Sequence, residues 1–347
     1  GSPRPPGGDG RRSTEGDADR DAGLLLAFAY PDRIGRRRSG EGARFTLANG
    51  RGAAFAHAQG LARQELIVAV DLDDRERDAR ILLAAPLARA ALLEEFADRL
   101  KSRDSVAWST REQAVIARRT LALDALVLED QPLTDVPVEV TRDAMLAGVR
   151  ELGLAALAWD REARDLQARI EFVRRAPGGE REAQAPWPEV ADAALTASLE
   201  TWLGPWLAGV TRREHLAGVP LTEALRALLT WEQQRTLDER APAHLTMPSG
   251  SRIRIDYQGD GAPAVAVRLQ EVFGLEATPR IDRGRVPLTL RLLSPAQRPV
   301  QVTRDLASFW RGAYAQVRKD LRGRYPKHYW PEDPLQARPT RRVRRRS

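Results

Sequence analysis

Apolar and polar positions change their period several times along the chain. Residues 1–21 are rich in Gly, Pro, Arg and Asp with almost nothing to bury, a composition that predicts disorder. Ala22–Tyr30 is a short apolar piece of helical character, ended by Pro31. From Arg44 the period is two. The stretch "RFTLA-NG-RGAAFA" reads as a hairpin in which Asn49-Gly50 supplies the positive φ angles of a tight type I′ turn. Glu65–Asp74 and Arg80–Leu87 read as strands, Leu87–Leu100 as an amphipathic helix, and Ser105–Ser109 and Gln113–Glu129 as strands again. Short strands at this spacing around one helix suit a small antiparallel barrel of the OB type, with another small barrel or a sandwich as the alternative.

From Pro137 the period lengthens to that of helices, at Val138–Leu157, Trp159–Arg174, Pro188–Leu203 and Leu221–Gln234, with "RAPGGEREAQAPWP" as a loop between the second and third. Strands return at Ser251–Tyr257, Ala264–Leu269 and Val286–Leu293, and one long helix over Thr303–Arg322 closes the pattern. The expected architecture is multidomain α+β: an OB-like antiparallel β-barrel followed by a mixed α+β C-terminal domain. The expected divisions are a disordered segment with a cleaved-tag remnant at 1–21, the barrel with a preceding helical remnant at 22–136, the C-terminal domain at 137–334 and a basic disordered tail at 335–347. Gly1-Ser2-Pro3 resembles the scar of a removed tag, so the chain reads as a piece of something longer.

Composition narrows the function. The longest apolar runs, such as Gly23–Tyr30, fall far short of the ~18 residues of a membrane span, and no basic segment leads into an apolar one as in a signal peptide. The chain has no cysteine, which removes disulfides and thiolate chemistry and fits a cytoplasmic protein. Its net charge is +7, and all 55 basic residues except Lys101, Lys319 and Lys327 are arginine, as in a GC-rich genome. The arginine count alone therefore says little; its distribution says more. Arg311–Ser347 holds 12 basic and 3 acidic residues, so the rest of the chain is slightly acidic and the positive charge is polarised to one end.

Catalytic chemistry finds no foothold. No Gly-rich turn leads into Lys-Ser/Thr, and no DExH-type motif is present, so ATP has no site here. No two of His57, His215, His244 and His328 lie at the spacing of a local metal pair. "DLDDRERD" (Asp71–Asp78) has Glu76 where a calcium loop needs Gly and reads as a solvated loop. No Gly-x-Ser-x-Gly nucleophile motif occurs.

Two signals survive. "YPDRIGRRR" (Tyr30–Arg38) places Arg33, Arg36, Arg37 and Arg38 beside the first hairpin, where Arg44 and Arg51 join them. OB-type barrels bind single strands over one sheet face and its rim loops with such groups. Phe45 and Phe55 read as core rather than stacking platforms. The second signal is the closing helix, with Thr303 as N-cap. Leu306, Trp310, Ala313, Val317 and Leu321 form its core-facing stripe, with Trp310 buried. Arg304, Arg311, Arg318 and Arg322 form a ridge opposite, with no acidic residue among them, spaced to reach successive phosphates; a solvated helix face is the alternative. Pro326, Pro331 and Pro334 then favour an extended strap anchored by Tyr325, Tyr329 and Trp330.

The segments "YPDRIGRRR", "LANGRGA", "LTMPSGSRIRIDY", "VAVRLQEVFGL" and "VPLTLRLLSPAQRPVQVTRDLASFWRGAYAQVRKDLRGRYPKHYWPEDP" together resemble the C-terminal half of HrpB-type bacterial DEAH-box helicases. The resemblance runs from about Leu24 to Pro334 and is most specific in the closing segment. It implies a parent ATP-dependent RNA or DNA helicase that uses ATP and Mg in two RecA-like motor domains absent here. It also implies that this chain is the accessory, non-enzymatic part, with no cofactor of its own. The expected partners are single-stranded RNA or DNA, bound non-specifically, and the motor domains of the same full-length protein, with no membrane. The rival expectation is a protein-interaction or motor-bracing module.

Overall fold

The computed structural model describes residues 22–40, 43–57, 59–73, 78–176, 186–259 and 261–340. The expected disorder of 1–21 and most of the expected tail, 341–347, lie outside them. The chain is mixed α+β and divides into two compact units: residues 1–109 with 115–141, and residues 110–114 with 142–347.

The first unit opens with helix α1 (residues 22–29) and a five-stranded closed barrel. Its strands are β1 (Ile34–Arg37), β2 (Arg44–Leu47), β3 (Gly52–Phe55), β4 (Leu66–Asp73) and β5 (Asp78–Pro86). Around the barrel the order is β1-β2-β3-β5-β4, with β1 closing on β4; only β3 and β5 run parallel. The first strand lies in the arginine-rich stretch that the alternation pattern passed over, because Gly35 and three consecutive arginines mask its period. The β2–β3 hairpin forms as expected, but its turn differs. Gly50 has φ = +84° and Asn49 does not share the positive region, so the loop is three residues long, a tight turn closed by one left-handed glycine. The Gly50 N–H donates to Leu47 O at 2.9 Å, and the Arg51 N–H donates to Asn49 Oδ1 at 3.0 Å.

Period two continues into the packing. Phe45, Leu47, Ala53, Phe55, Ile67, Ala69 and Ile81 fill the barrel, with the Phe45 and Phe55 rings edge to face at 5.7 Å. Leu66 and Val68 point the other way, into a second core. That core holds Ala27 of α1, Ile34 of β1, Leu92 and Phe96 at helix α2 (Arg89–Glu95), and Leu123, Leu126 and Leu128. The last three belong to strands β7 (Ala114–Leu123) and β8 (Leu126–Pro132), which with β6 (Leu100–Ser109) form a separate sheet of order β6-β7-β8. These segments were expected inside the barrel. They lie outside it because the barrel closes within residues 34–86, leaving the outer face of β4 to be covered. The expected single strand Gln113–Glu129 is two strands, reversed at Asp124, whose φ of +50° an aspartate tolerates.

Helix α3 (Val138–Leu152) begins at the end of the first unit and stops in the second at Gly153, where φ is +77°. Helix α4 (Arg161–Arg175) starts from Asp160, whose carboxylate accepts from the Ala163 N–H at 2.7 Å. Short helices α5 (Asp192–Ala197) and α6 (Leu199–Trp202) replace the expected helix over 188–203. The expected helix Leu221–Gln234 is α7 (Leu221–Arg226) and α8 (Trp231–Arg240), because Thr230 and Gln233 form a reciprocal capping box that begins a new helix. Hairpin β9 (His244–Thr246)–β10 (Arg252–Arg254) follows, then β11 (Ala264–Arg268), hairpin β12 (Arg280–Ile281)–β13 (Val286–Pro287), β14 (Thr289–Leu293) and β15 (Pro299–Thr303). Strands β11, β14 and β15 make a mixed sheet, parallel at β11–β14. Helices α9 (Leu306–Arg311) and α10 (Tyr314–Arg324) close the unit.

The end of α8 and the tip of the β12–β13 hairpin are joined by a buried ion pair. Arg240 is fully buried, and its Nε donates to Asp282 Oδ1 at 2.6 Å, while the Asp282 N–H donates to Arg240 O at 2.9 Å. Asp282 and Arg283 both have positive φ, so the contact holds a turn that the backbone alone disfavours. Asp282→Asn preserves shape and tolerance of that φ but leaves the Arg240 charge buried without its counter-ion. The variant should lose about 3–5 kcal/mol of stability by guanidinium unfolding followed through tryptophan fluorescence. Stability equal to the parent would show that the pair does not pin the hairpin.

Candidate nucleic-acid interface

The structure gathers one group of expected arginines on the barrel. Strand partners share a face, so the pairing Arg36↔Thr46↔Gly52 puts these three side by side on its outside, with Arg44 beside Ala54. Arg38 donates from Nε to Thr46 Oγ1 at 3.0 Å and lies 3.9 Å from Asp78, and Arg44 lies 3.9 Å from the other oxygen of the same carboxylate. A Cβ at Gly52 would meet the Asp78 carboxylate and the Arg38 guanidinium, which would have to move aside. Arg37 pairs with inward-facing Phe45 but sits at the strand end, so it projects exposed at the barrel rim. Arg51 is exposed beside the β2–β3 turn.

Two of the six have a structural task. Arg33 donates to Val70 O at 2.6 Å with its guanidinium 5.1 Å from the Tyr30 ring centre, and Arg36 donates to Val127 O at 2.6 Å and lies 4.0 Å from Glu65. Asp78, the shared counter-ion, was missed. It ends a stretch that reads as a solvated acidic loop, and only the parallel β3–β5 pairing carries it under Arg38 and Arg44.

The second group does not form the expected ridge. The expected helix Thr303–Arg322 is broken at Gly312 and Ala313, where glycine's poor helix propensity lets the axis turn. Its N-cap is Asp305, which accepts from the Ser308 N–H at 2.9 Å, rather than Thr303. Arg304 therefore precedes the helix. The break also shifts the buried stripe: Leu306, Trp310 and Leu321 are buried as expected, whereas Ala313 is exposed, Val317 half-buried, and Tyr314 takes the inward place. Tyr314 joins Phe273, Phe309 and Trp310 in an aromatic cluster, and its hydroxyl donates to Pro331 O at 2.7 Å. Burial, ahead of neighbouring charges, drives its phenol well above the ordinary value.

Arg311 and Arg322 are exposed, as is Arg304. Arg318 is the exception: it donates to Trp330 O at 3.2 Å and to Glu332 Oε1 at 2.8 Å, tying α10 to the proline-rich strap. The same hydrogen bond holds the Glu332 carboxyl below its ordinary value. Trp330 is buried, and its indole N–H donates to Tyr325 O at 2.9 Å. Among the described residues no group of three or more His, Asp and Glu gathers as a metal site, and no helix is long and apolar enough to cross a membrane.

Two family models match the chain: the C-terminal region of ATP-dependent helicases of the HrpB type over residues 202–334, and the connector region of the ATP-dependent RNA helicase HrpB over residues 99–133. The ATP-dependent RNA helicase HrpB of Escherichia coli (strain K12) is 44% identical over 326 residues, which are 93% of this chain and 39% of that protein. Over most of its length the chain is similar to the C-terminal part of HrpB helicases. A crystal structure of the E. coli DExH-box NTPase HrpB superposes with a TM-score of 0.57 at 44% identity, covering 92% of this chain and 39% of that one. Another, of the E. coli DEAH/RHA helicase HrpB, gives 0.50 at 40% identity, covering 89% and 38%. The chain thus spans less than half the length of these HrpB relatives. The connector match coincides with the β6-β7-β8 sheet, and the C-terminal match runs from the end of α6 through the strap; the barrel lies outside both.

The Arg318 contacts make a test. Arg318→Ala should cost about 1 kcal/mol through the lost hydrogen bond to Trp330 O and expose the strap to limited proteolysis. Arg311→Ala and Arg322→Ala should stay within about 0.5 kcal/mol of the parent. The contribution from Glu332 is present above the ordinary carboxylate range and vanishes as pH falls through its depressed value, so the deficit of Arg318→Ala narrows in acid. Equal protease resistance of all three variants would assign Arg318 to the solvent instead.

Proposed function

We propose that this chain is the accessory, non-motor part of an ATP-dependent helicase, and that it binds single-stranded RNA or DNA without sequence specificity through basic surfaces. The barrel is read as OB-like: five strands in a closed Greek-key order, with a one-turn helix (Gly60–Arg63) between β3 and β4. In such barrels the β2–β3 face and the adjoining loops hold oligonucleotides. The observation that carries the reading is the clustering of Arg37, Arg38 and Arg44 at that rim, beside Arg36, whose guanidinium is held on Val127 O, and with Arg51 at the next turn. Residues 30–52 contain six arginines against two acidic residues. Arg38 and Arg44 share one aspartate, so a phosphate can displace a weak, solvent-screened contact at little cost. Arg304, Arg311 and Arg322 add a separate exposed basic surface in the second unit, without Arg318 as a free member.

The reading places ATP and Mg with motor domains elsewhere in the full-length protein and gives this chain no catalytic residue, no cofactor and a cytoplasmic setting. The bracing alternative has one observation in its favour: Leu25 and Phe28 on α1 are 70% and 52% exposed, an apolar face suited to protein contact.

A labelled single strand titrated by fluorescence anisotropy decides between them. Binding should weaken steeply with salt, with a log–log slope of about −0.7 for each phosphate contacted, and should not depend on base sequence. Reversal of Arg37 and Arg44 to Glu should weaken binding about tenfold or more at low salt. The purified chain should hydrolyse no ATP with or without the strand. Binding unaffected by the double reversal would favour the bracing role, and turnover that survives repurification would overturn the non-motor reading.

A further inference from the structure

Helix α4 forms one wall of a groove made of two neighbouring clefts in the second unit. At its start, Arg161 and Asp165 face Arg254, Asp256 and Arg291 across a cleft of about 430 Å³. At its end, Glu171, Phe172, Arg175 and Tyr257 line a cleft of about 570 Å³. Gln258 lines both, so the clefts are neighbours along about 21 Å of helix.

The first cleft carries more positive than negative charge. Arg254 pairs with Asp165 and also donates to Arg161 O at 3.1 Å, and Arg291 pairs with Asp256 at 3.3 Å. That uses both aspartates, while Arg161 is exposed and makes no ion pair among the described residues. The Arg254 guanidinium is pushed below its ordinary value, first by burial and then by the Arg161 charge. A dianionic or monoanionic oxygen cluster placed here would relieve that repulsion.

The second cleft differs in chemistry. The Phe172 and Tyr257 rings pack on each other at 5.3 Å and 58°; Tyr257 is buried, its hydroxyl donating to Pro242 O at 2.8 Å, and it backs the half-buried Phe172 ring. The Gln258 amide, which lines both clefts, donates to Asp165 Oδ1 at 3.2 Å. Aromatic rings beside an amide, next to a cationic cleft, are the elements used to hold an unstacked base and its phosphate. An acidic peptide would use the arginines and leave the aromatic cleft idle.

We propose that this groove binds a short stretch of single-stranded nucleic acid, with a phosphate at Arg161, Arg254 and Arg291 and the neighbouring base at Phe172, Tyr257 and Gln258. The proposal rests on the nucleic-acid reading above and adds to it a second site, away from the barrel, that takes bases as well as phosphates.

The test uses the whole chain and a fluorescein-labelled oligouridine 12-mer. Arg161→Glu changes an exposed side chain and leaves the ion pairs of the cleft intact. It should weaken binding about fivefold at 0.1 M salt and reduce the salt slope by about 0.7. With 4-thiouridine in the strand, photo-crosslinks should map to residues 161–176 and 253–258. Unchanged affinity for Arg161→Glu, with crosslinks confined to residues 33–55 or 304–324, would overturn the groove and leave the general reading standing. No binding of the 12-mer by the parent chain would remove both. Displacement of the strand by poly-glutamate as effectively as by unlabelled oligouridine would assign the groove to an acidic protein instead, and uridine monophosphate competing as well as the strand would reduce it to a mononucleotide site.

Discussion

The first half of strand β4, Leu66–Ala69, is buried on both faces, and the first unit is organised around that constraint. Leu66 and Val68 face one core and Ile67 and Ala69 the other, so a slip of one residue in register would exchange the two sets. The barrel must therefore close on one side while α1, α2 and the β7–β8 pair cover the other. Closure requires β1 to pair with β4, which draws the arginine run Arg36–Arg38 into the sheet and sets it against β2. The basic rim is a consequence of how the core is satisfied.

Arginine in this chain performs two kinds of work, and burial and partners distinguish them. Arg240 and Arg318 tie elements together, as Arg33 and Arg36 do by donating to backbone carbonyls. Arg37, Arg161, Arg311 and Arg322 are exposed and suited to an external anion. Because almost every basic residue is arginine, composition cannot separate these roles. The guanidinium's several donors let one residue type fill both.

The legibility of the fold follows the same division. Local signals were readable: the β2–β3 hairpin with Gly50, strands β4 and β5, helix α4 and the burial of Phe45, Phe55 and Trp310. Breaks set by single residues were not. The capping box at Thr230 and the interruption at Gly312 each divided a helix that apolar periodicity drew as continuous. The ridge of Arg304, Arg311, Arg318 and Arg322 failed with that continuity, because its alignment assumed an unbroken helix.

The sequence by itself determined the kinds of element, the mixed α+β character, the polarised charge and the resemblance to HrpB. These depend on periods of two and 3.6 residues, on composition and on ungapped local strings, all of which are properties of neighbours in the chain. Only the tertiary structure decided which strands close the barrel, that Asp78 lies between Arg38 and Arg44, that Arg318 is committed to the strap, and that Arg161, Arg254 and Arg291 meet across one cleft. Those facts join residues tens of positions apart, and they are settled by which surfaces must leave water together rather than by any pattern along the chain.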